Sequence, residues 1–429
     1  MKKTRAPKQR YELHISQLAS QGDGVAYRDD KAFFVPFAAP GDRVLAQAQK
    51  AQGRNVQCKL LQIISSGPAR VTPPCPLFQT CGACDWQHVA YDVQCDNKAR
   101  WLQQMLSHTP IPFTPSPAAL GYRRLARLHA RTRADGSVQM GFHARKGRHI
   151  VDTHDCPMLV PSLREALAPL RQVLLPTIPH AVTLSLSAGT AGAFVHVQSP
   201  QPLPPRHYET ARHLCHTRAL AGISANVDGI SAHIAGDAWV ASNASDGQGM
   251  RFPLSSFGQA NDAINLALGT CIRNWLLERA PFQHALELFA GAGNLTLLLL
   301  PHLPRITTVE WDTHACQAAR HNVDSRQQTD SHETATVSIH EGDAVVAYQQ
   351  FAQRCDLVVL DPPRKGCEAL CHHMKDAPHR TIIYISCNPL TLARDLAILA
   401  QGQWRITAAH GFDMFAQTRH VEVAVCLER

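Results

Sequence analysis

A cysteine that follows an apolar segment is the residue of this chain best placed to perform chemistry. Cys387 comes directly after Thr381-Ile-Ile-Tyr-Ile-Ser386, and Pro389 then blocks regular continuation. A short run of apolar and β-favouring residues before a polar break predicts a buried strand. Because ligands bind beyond the carboxyl ends of the strands in an open α/β sheet, Cys387 would face a cleft, where its thiolate can act as a nucleophile. A lone buried cysteine more often only fills space, so this interpretation needs support from other strand ends.

Three other predicted strand ends carry groups that suit a nucleoside. Residues 285–290 form an apolar strand that leads into Gly291-Ala-Gly293, and glycines there allow a tight turn and the close approach of a ligand. Residues 305–310 end in Glu310, a carboxylate placed to accept both hydroxyls of a ribose. A further strand ends in Asp361 before a Pro-Pro break, and Asp343 lies between the last two strands, where it can hold an adenine. These groups at βα spacing predict a doubly wound α/β sheet that binds a nucleoside cofactor.

The glycine pattern decides between two nucleoside cofactors. It lacks the third glycine of the dinucleotide motif, since Thr296 stands in that place. S-adenosylmethionine needs ribose and adenine contacts but no pyrophosphate site, and it therefore fits better than a nicotinamide cofactor. Methyltransferases that act on exocyclic amines often have an aromatic residue after Asp-Pro-Pro, whereas Arg364 stands there in this chain. A thiol nucleophile beside a methyl donor instead predicts methylation of a carbon atom.

A second constellation consists of cysteines with the spacing of metal ligands. Cys75, Cys81 and Cys84 form the pattern Cys-x5-Cys-x2-Cys, and Cys156 lies far downstream. Four thiolates can hold a zinc ion or an iron–sulfur cluster, and the spacing alone leaves both open. A disulfide framework is not expected, because most of the 14 cysteines are scattered and the chain has no secretory signal.

Length and composition indicate a globular protein of the cytoplasm. At 429 residues, the chain is long enough for two or three domains with substantial cores. Its hydrophobic content of 45% and charged content of 18% are ordinary globular values. No apolar run is long enough to span a bilayer, and the basic residues 1–10 lack the apolar region of a secretory signal. We therefore expect a cytoplasmic location and no membrane partner.

Positive charge is concentrated in two segments of a chain whose formal net charge is +8. Residues 1–10 hold five Lys or Arg and no acidic residue. Residues 121–149 are predicted to form a hairpin that turns at 134–136, and Asp135 is their only acidic residue. A basic face on such a ribbon suits a phosphate backbone, and a solvated charged surface is the alternative. The basic residues of the hairpin are Arg123, Arg124, Arg127, Arg131, Arg133, Arg145, Lys146 and Arg148.

The chain divides by pattern into three parts. Residues 9–66 are short strands separated by glycine and proline turns, which predict a small β-barrel. Residues 70–250 hold the cysteine constellation and a β-rich region with proline-rich breaks, and residues 255–429 hold the α/β sheet. The elements predicted most clearly are strands at 25–27, 32–35 and 44–48 and helices at 91–106 and 262–279.

Four motifs in this order resemble those of the RNA (uracil-5-)-methyltransferases. They are Phe257-Gly-Gln-Ala-Asn261, Asp361-Pro-Pro-Arg364, Ser386-Cys-Asn-Pro389 and His420-Val-Glu422, and the likeness runs from about Tyr11 to the C-terminus. The resemblance implies that Cys387 is the nucleophile and that Glu422 is the base that removes a proton from C5. Val423 departs from the small polar residue that the family often has. The resemblance also places six residues where the family contacts the cofactor or the target base: Gln259, Phe289, Asn294, Glu310, Asp343 and Asp361.

The same resemblance implies the fold and the cofactors. It indicates a multidomain protein with an N-terminal TRAM domain, which is an OB-like β-barrel that binds RNA. A β-rich central domain with an iron–sulfur cluster and a Rossmann-like class I methyltransferase domain that uses S-adenosylmethionine would follow. Family members with a [4Fe–4S] cluster have Cys-x5-Cys-Gly-x-Cys and a fourth cysteine in a context like His154-Asp-Cys-Pro157, as in this chain.

The resemblance also implies a substrate. Members that act on tRNA usually lack both the barrel and the cluster cysteines, so 23S ribosomal RNA is the expected substrate and partner, with no obligate protein partner. Two alternatives stay open: C5 methylation of a tRNA uridine, and a non-catalytic RNA-binding or assembly factor with an iron–sulfur cluster. The presence of both Cys387 and Glu422 favours an enzyme.

Overall fold

The computed structural model describes residues 9–106, 110–256, 258–329 and 335–429, and their contacts form two compact units. The first unit comprises the described residues up to Trp101 together with 143–151 and 416–419. The second comprises the described residues of 102–142, 152–415 and 420–429. The domain boundaries near residues 66–70 and 250–255 remain a prediction from sequence.

The N-terminal part of the first unit is a six-stranded sheet with the order β1-β5-β6-β4-β3-β2. Alternate side chains of its strands turn inward and form an apolar core that includes Ile15, Phe33 and Val44. The three strands predicted at 25–27, 32–35 and 44–48 are confirmed. The strands are β1 (Arg10–His14), β2 (Gln17–Leu18), β3 (Gly24–Arg28), β4 (Lys31–Val35), β5 (Arg43–Gln52) and β6 (Asn55–Ser65).

The middle of the chain is rich in β-strands, as predicted. Strands β9, β8, β11, β12, β13 and β14 lie side by side in that order, and β15 pairs with β16. The predicted basic hairpin is confirmed, since β8 pairs antiparallel with β9 across a turn at 134–136. The elements are α1 (Tyr91–Leu106), β7 (Phe113–Thr114), β8 (Leu125–Thr132), β9 (Val138–His143), β10 (Ile150–Asp152), α2 (Pro161–Pro169), β11 (Val182–Gly189), β12 (Gly192–Ser199), α3 (Pro205–His216), β13 (Gly222–Val227), β14 (Ile230–Gly236), β15 (Trp239–Asn243) and β16 (Gly249–Pro253).

The C-terminal part is an α/β sheet, and the predicted helix at 262–279 begins it. Asn261 caps that helix, because its side chain accepts a hydrogen bond from the N–H group of Ile264. The elements are α4 (Asp262–Arg279), β17 (Ala285–Leu288), α5 (Asn294–Leu299), β18 (Arg305–Glu310), α6 (Thr313–Thr329), β19 (Thr336–Glu341), α7 (Ala344–Phe351), β20 (Leu357–Leu360), α8 (Glu368–Met374), β21 (Thr381–Ser386), α9 (Pro389–Ala400), β22 (Arg405–Phe412) and β23 (Glu422–Glu428).

The strand order of this sheet is β19-β18-β17-β20-β21-β23-β22-β7. Strands β17, β20 and β21 are buried at every residue, because helices cover both faces of a parallel sheet, and this explains their continuous apolar sequences. The chain order reverses between β17 and β20, which makes the carboxyl ends of these two strands the expected ligand crevice. Strand β23 runs antiparallel to β21, so its first residue lies at the same edge as the last residue of β21.

No helix among the described residues combines the length and the hydropathy that a membrane crossing requires.

Candidate active site at the carboxyl edge of the sheet

Strand pairing brings the predicted nucleophile and the predicted base together. Ser386 at the end of β21 lies opposite Val423 in β23. This is the last pair of the register, and Cys387 follows Ser386 while Glu422 precedes Val423, so both residues lie directly beyond the same end of the paired strands. The two side chains interact, since the charge of Glu422 acts on the pKa of the Cys387 thiol. Glu422 is buried, with 6% of its surface exposed, and Cys387 is half-buried.

The surroundings of both side chains favour their neutral forms. The pKa of the Cys387 thiol is raised to about 12, first by burial and then by the carboxyl groups of Glu422 and Asp361, while Arg364 acts to lower it. Burial and the charge of Asp361 raise the pKa of Glu422 well above its usual value, and Arg364 again acts in the opposite direction. Glu422 is therefore a carboxyl group that holds a proton more readily than an ordinary glutamate does.

The loop after β20 brings two more charged groups to this pair. Leu360, the last residue of β20, lies opposite Tyr384 in β21, and Asp361 follows it directly. Burial raises the pKa of Asp361 to about 7. The guanidinium Nη2 of Arg364 lies 3.1 Å from Nδ1 of His420, two residues before the base. The same loop thus supplies one carboxyl group and one cation to the surroundings of Cys387.

The glycine turn after β17 has the features of a ligand cradle. Gly291 and Gly293 have φ angles of 56° and 89°, and Phe289 has a φ of 64°, which is rare for a residue with a Cβ and is typical of functional sites. A Cβ atom on Gly291 would meet no atom within 4 Å, so the turn is open on that side. Oε2 of Glu310 accepts a hydrogen bond of 2.8 Å from the N–H group of Gly291. The predicted ribose-binding carboxylate is thereby held against the glycine turn.

Two of the other predicted cofactor residues have structural partners. One carboxylate oxygen of Asp343 caps α7, since it accepts hydrogen bonds of 2.8 and 3.1 Å from the N–H groups of Val345 and Val346. The side-chain amide of Asn294 exchanges two hydrogen bonds of 3.0 Å with Asn265 of α4. These contacts fix both side chains at the carboxyl edge of the sheet, and their roles toward a cofactor remain predictions.

The remaining residue that is predicted to contact the cofactor or the target base, Gln259, lies just before α4. Gln259 is half-buried there, and the next residue but one, Asn261, is buried and donates a hydrogen bond of 3.0 Å to Ser116. Phe257, the first residue of this motif, lies outside the described residues. The role of Gln259 toward the cofactor or the base stays a prediction.

Comparisons with known proteins show the family to which the chain belongs. The family profile described as tRNA (Uracil-5-)-methyltransferase matches residues 246–429, and the TRAM domain profile matches residues 5–60. A protein of Chromohalobacter salexigens named 23S rRNA (uracil(1939)-C(5))-methyltransferase RlmD is 33% identical over 438 residues, which cover 97% of this chain and 89% of that protein. The chain belongs to the RNA (uracil-5-)-methyltransferase family.

Two further matches bear on this uracil-5-methyltransferase. A protein of the same name from Halomonas elongata is 31% identical over 458 residues, covering 98% of this chain and 89% of that protein. The crystal structure of the Pyrococcus abyssi tRNA (uracil-54, C5)-methyltransferase in complex with S-adenosyl-L-homocysteine superposes with a TM-score of 0.75. It covers 98% of this chain and 100% of that chain at 22% identity, so it shows a shared fold.

The sequence patterns missed a buried carboxyl group of the uracil-5-methyltransferase sheet. Glu287 of β17 is 1% exposed, and Oε2 accepts a hydrogen bond of 2.6 Å from the hydroxyl of Thr296. Burial raises the pKa of Glu287 to about 8, and the charge of Asp361 adds to this effect. Thr296 is the residue that replaces the third glycine of the dinucleotide motif, so this hydrogen bond gives a structural reason for the departure. A charged residue within the apolar strand Ala285–Leu288 was the available signal.

The four cysteines of the predicted cluster take part in no disulfide bond among the described residues. Cys75, Cys81 and Cys84 lie in the first compact unit, and Cys156 lies in the second. The N–H groups of Phe78 and Cys81 bond to the carbonyl groups of Cys75 and Leu77, so consecutive turns hold Cys75 and Cys81. The assignment of these four residues to a metal or a cluster remains a prediction.

The basic hairpin of the uracil-5-methyltransferase is divided between two roles. Arg124 is buried, with 5% of its surface exposed, and bonds to Ser242, Asp262 and the carbonyl group of Ala188. The expectation that Arg124 supplies charge to RNA is therefore corrected, because its guanidinium is used inside the protein. Arg127 and Arg131 are exposed on the outer face of β8 and remain available to a phosphate backbone.

Proposed function

We propose that this protein transfers the methyl group of S-adenosylmethionine to C5 of a uridine in 23S ribosomal RNA. The observation that carries the proposal is the register of β21 and β23, whose last pair is Ser386 and Val423, so that the half-buried thiol of Cys387 and the buried carboxyl group of Glu422 lie directly beyond the same end of the paired strands. The relatives named 23S rRNA (uracil(1939)-C(5))-methyltransferase support ribosomal RNA as the substrate, since they match nearly the whole chain. Because ribosomal RNA is a cytoplasmic substrate, the proposal also implies a cytoplasmic location.

The chemistry requires a nucleophile and a base on the same uracil ring. C5 of uracil is too weakly nucleophilic to take a methyl group unaided. Addition of the Cys387 thiolate to C6 forms a C–S bond and moves the electron pair toward C5 and the O4 enolate. With S-adenosylmethionine bound, C5 would take the methyl group while the sulfonium S–CH3 bond breaks and S-adenosylhomocysteine leaves, so that C5 of the adduct would carry both a proton and the new methyl group.

Glu422 completes the reaction by accepting the C5 proton. Loss of that proton restores the C5–C6 double bond and expels the Cys387 thiolate, and the enzyme returns to its starting state once Glu422 has released the proton it accepted. A base for this step should have a pKa near the working pH. The buried position of Glu422 beside Asp361 raises its pKa in that direction.

Arg364 and Asp361 supply the charge environment of the thiol. The raised pKa of Cys387 keeps most of the free enzyme in the thiol form, and the cationic Arg364 acts to favour the thiolate. Burial raises the pKa of Asp361 to about 7, so its carboxyl group holds a proton more readily than an ordinary aspartate does.

The methyl donor fits the residues at the carboxyl edge of the sheet. S-adenosylmethionine supplies an electrophilic methyl group when bound. The open glycine turn at Gly291 leaves room for an approaching ligand, and Glu310 at the tip of β18 is placed for a ribose. Gln259, Phe289, Asn294, Asp343 and Asp361 are proposed to complete the contacts with the donor or the target base.

We also propose that Cys75, Cys81, Cys84 and Cys156 hold a [4Fe–4S] cluster with a structural or RNA-positioning role. The donor set supports this, because four cysteine thiolates suit an iron–sulfur cluster, and the role is structural or RNA-positioning because methyl transfer requires no electron. Gly82 lets the turn between Cys81 and Cys84 pack closely against the backbone of His143, since a Cβ atom at position 82 would lie 3.0 Å from the His143 carbonyl oxygen.

Protein purified without oxygen should be brown and contain about four irons per chain. Colourless protein that contains one zinc ion would contradict the cluster.

The function is tested with 23S ribosomal RNA transcribed with 5-fluorouridine in place of uridine. Fluorine at C5 cannot leave as a proton does, so the enzyme and S-adenosylmethionine should form a covalent adduct that survives denaturation. A tRNA transcript prepared in the same way is the comparison substrate. Faster trapping of the tRNA would favour the tRNA alternative, and no trapping of either RNA would favour a non-catalytic RNA-binding factor. Mapping of 5-methyluridine in total RNA with and without the gene then identifies the nucleotide.

A further inference from the structure

The loop that carries Asp361 and Arg364 depends on helix α9 for its conformation. Residues 361–367 lie between β20 and α8 without strand or helix structure, and Pro362 and Pro363 offer no N–H group. Side chains of α9 and its N-cap bind the polar backbone groups of this loop instead. These bonds run from Asn388 Nδ2 and Thr391 Oγ1 to the Arg364 carbonyl (2.9 and 3.3 Å), from Arg394 Nη2 to the Lys365 carbonyl (3.0 Å) and from the Cys367 N–H to Asp395 Oδ2 (2.8 Å).

Asp395 is the central member of this set of bonds. It is 0% exposed, and its two oxygens accept four hydrogen bonds. Oδ1 accepts from Nε and Nη2 of Arg394 at 2.9 and 2.7 Å, and Oδ2 accepts from the Cys367 N–H at 2.8 Å and from the Tyr384 hydroxyl at 2.6 Å. The carboxylate therefore joins the loop to α9 and to β21, the strand that ends beside Cys387.

A metal site is the other chemistry that these side chains suggest. Ligand atoms of Cys367, Cys371 and Asp395 lie within 4.8 Å of one another. However, a carboxylate has about four lone-pair directions, and the four donors already use them. A metal ion would have to displace the backbone of the loop from Asp395, so a hydrogen-bonding role describes these contacts better.

The close approach of the loop to Asp395 requires a glycine. Gly366 has a φ of 72°, and a Cβ atom there would lie 2.5 Å from Oδ2 of Asp395 and 2.8 Å from Nη2 of Arg394. Such distances are shorter than a carbon atom permits. Glycine at this position lets the loop lie directly on the buried carboxylate.

We propose that Asp395 is a positioning residue of the methyl transfer, which fixes the loop bearing Asp361 and Arg364 against the strand and helix that flank Cys387. This inference rests on the proposed function. Asp395 acts through the loop and does not contact the reacting atoms. Without it, the guanidinium of Arg364 and the carboxyl group of Asp361 would lose their fixed places beside the thiol. Misplacement of a catalytic group by about 1 Å can lower a rate by about 100-fold.

The first experiment compares Asp395→Asn with Asp42→Asn. Asp42 is a buried carboxylate directly before β5 that also binds an arginine and two backbone N–H groups, so its loss is a matched structural change. The single-turnover rate of adduct formation with 5-fluorouridine-substituted 23S ribosomal RNA is measured at saturating RNA. We expect Asp395→Asn to lower this rate about 10- to 100-fold, and Asp42→Asn to leave it within about twofold. Equal rates in the two variants would overturn the proposal.

A second measurement needs no RNA and separates positioning from loosening of the fold. The rate of Cys387 alkylation by iodoacetamide is followed by mass spectrometry, with Cys215 and Cys271 of the same molecule as references. Loss of the Arg364 charge beside the thiol should slow alkylation of Cys387 by about threefold or more, with unchanged references. Faster alkylation of all three cysteines would mean that the variant is merely loosened, which contradicts a positioning role.

Tyr384→Phe serves if Asp395→Asn does not fold, because it removes one of the four bonds and keeps the ring. Tyr384→Phe should lower the trapping rate by less than Asp395→Asn does. An unchanged trapping rate together with unchanged alkylation of Cys387 would count against the proposal.

The wild-type protein is measured first. If it traps no RNA, the proposed function fails whatever the variants do. If it traps RNA and the variants do so equally well, only the role of Asp395 is wrong.

Discussion

Asp42 directly before β5 of the N-terminal sheet and Glu422 at the edge of the α/β sheet are both buried carboxyl groups, with 0% and 6% of their surfaces exposed. Burial acts to raise the pKa of Asp42, but the Arg70 guanidinium and the N–H groups of Gly67 and Ala39 outweigh it and lower that pKa. Burial and the charge of Asp361 raise the pKa of Glu422, and Arg364 opposes them only in part.

This difference separates groups that hold the fold from groups that perform chemistry. Asp42 stays ionised and joins separate segments of the chain, because its donors compensate for its burial. Glu422 lies beside another carboxyl group and gains a proton more readily, which is the property that a general base needs. The same contrast holds for Arg124, whose guanidinium is bound inside the protein, and Arg364, whose side chain is exposed beside the thiol.

The largest effect is expected from Cys387→Ala. The variant should form no covalent adduct and no 5-methyluridine, because addition to C6 is the step that makes C5 nucleophilic. Its affinity for S-adenosylmethionine should remain close to that of the wild type, since the thiol reacts with the base. Adduct formation is followed by gel mobility with 5-fluorouridine-substituted RNA, and donor affinity by calorimetry. Substantial methylation by this variant would rule out the covalent mechanism.

Glu422→Gln tests the proposed base, which acts after methyl transfer, when the C5 proton is removed. The amide cannot take the C5 proton, so addition and methyl transfer proceed while release of the product is blocked. We therefore expect a methylated protein–RNA adduct to accumulate on ordinary, fluorine-free RNA, which the wild type releases. Mass spectrometry of the Cys387 peptide measures the adduct. Release of methylated RNA at the wild-type rate would show that another group is the base.

The pH dependence of adduct formation tests the environment of the thiol. In Glu422→Gln, the accumulating adduct isolates the steps before proton removal. Burial and Asp361 still raise the pKa of Cys387 in this variant, although the contribution of Glu422 is lost, so the thiolate is a minor species at neutral pH. Its population, and with it the rate, should rise by about tenfold per pH unit between about pH 6.5 and 9. A flat profile in this range would mean that binding of RNA or of the donor lowers the thiol pKa, or that another step limits the rate.

Stability should respond to pH with opposite signs in Asp42→Asn and Glu422→Gln. Asp42 has a lowered pKa in the fold, so its stabilisation is present above the unfolded value of 3.8 and is lost as pH falls through the folded value. Asp42→Asn should therefore cost about 3 kcal/mol at pH 7, and less in strong acid. Glu422 has a raised pKa in the fold, so the wild type loses stability as the pH rises above the unfolded value of 4.5. The Gln side chain does not ionise. Glu422→Gln should therefore unfold at a higher temperature than the wild type at pH 8, but not at pH 4. Calorimetry at these pH values measures the unfolding temperatures of both variants relative to the wild type. An equal pH dependence in the two variants would contradict the contrast between Asp42 and Glu422.

Local patterns predicted the elements that depend on neighbouring residues. The helices at 91–106 and 262–279 and the strands at 305–310 and 381–386 were placed correctly, because caps, periodicity and apolar runs are read within a few residues. The strand ends also correctly indicated one common edge of the sheet, since parallel strands bring their carboxyl ends together, and the binding of a ligand at this edge stays a prediction. The roles of Cys387 and Glu422 came from resemblance, and the strand register then gave them a geometric basis.

The partners of buried charges could not be predicted in this way. Arg124 binds Asp262, which is 138 residues away in the sequence, and Asp42 binds Arg70, which is 28 residues away. No local pattern marks such pairs, because the sequence around each charge looks like a solvated surface. Thr296 was noticed only as a missing glycine, and its bond to Glu287 became evident from the fold.

The smallest effect is expected on the salt dependence of RNA binding, and it tests the contrast between bound and exposed arginines. Arg127 and Arg131 are four residues apart on β8, so they lie on the same outer face, whereas Arg124 is buried. Replacing both exposed residues by Ala should reduce the slope of log affinity against log salt by about 1.5, since each lost phosphate contact removes about 0.7 to 0.9. Arg124→Ala should leave this slope unchanged and lower the unfolding temperature, because its partners Ser242 and Asp262 lie within the fold. The slopes are measured by fluorescence anisotropy of labelled ribosomal RNA at several salt concentrations. An unchanged slope in the double variant would mean that the outer face of β8 is only a solvated surface, and that RNA binds elsewhere on the protein.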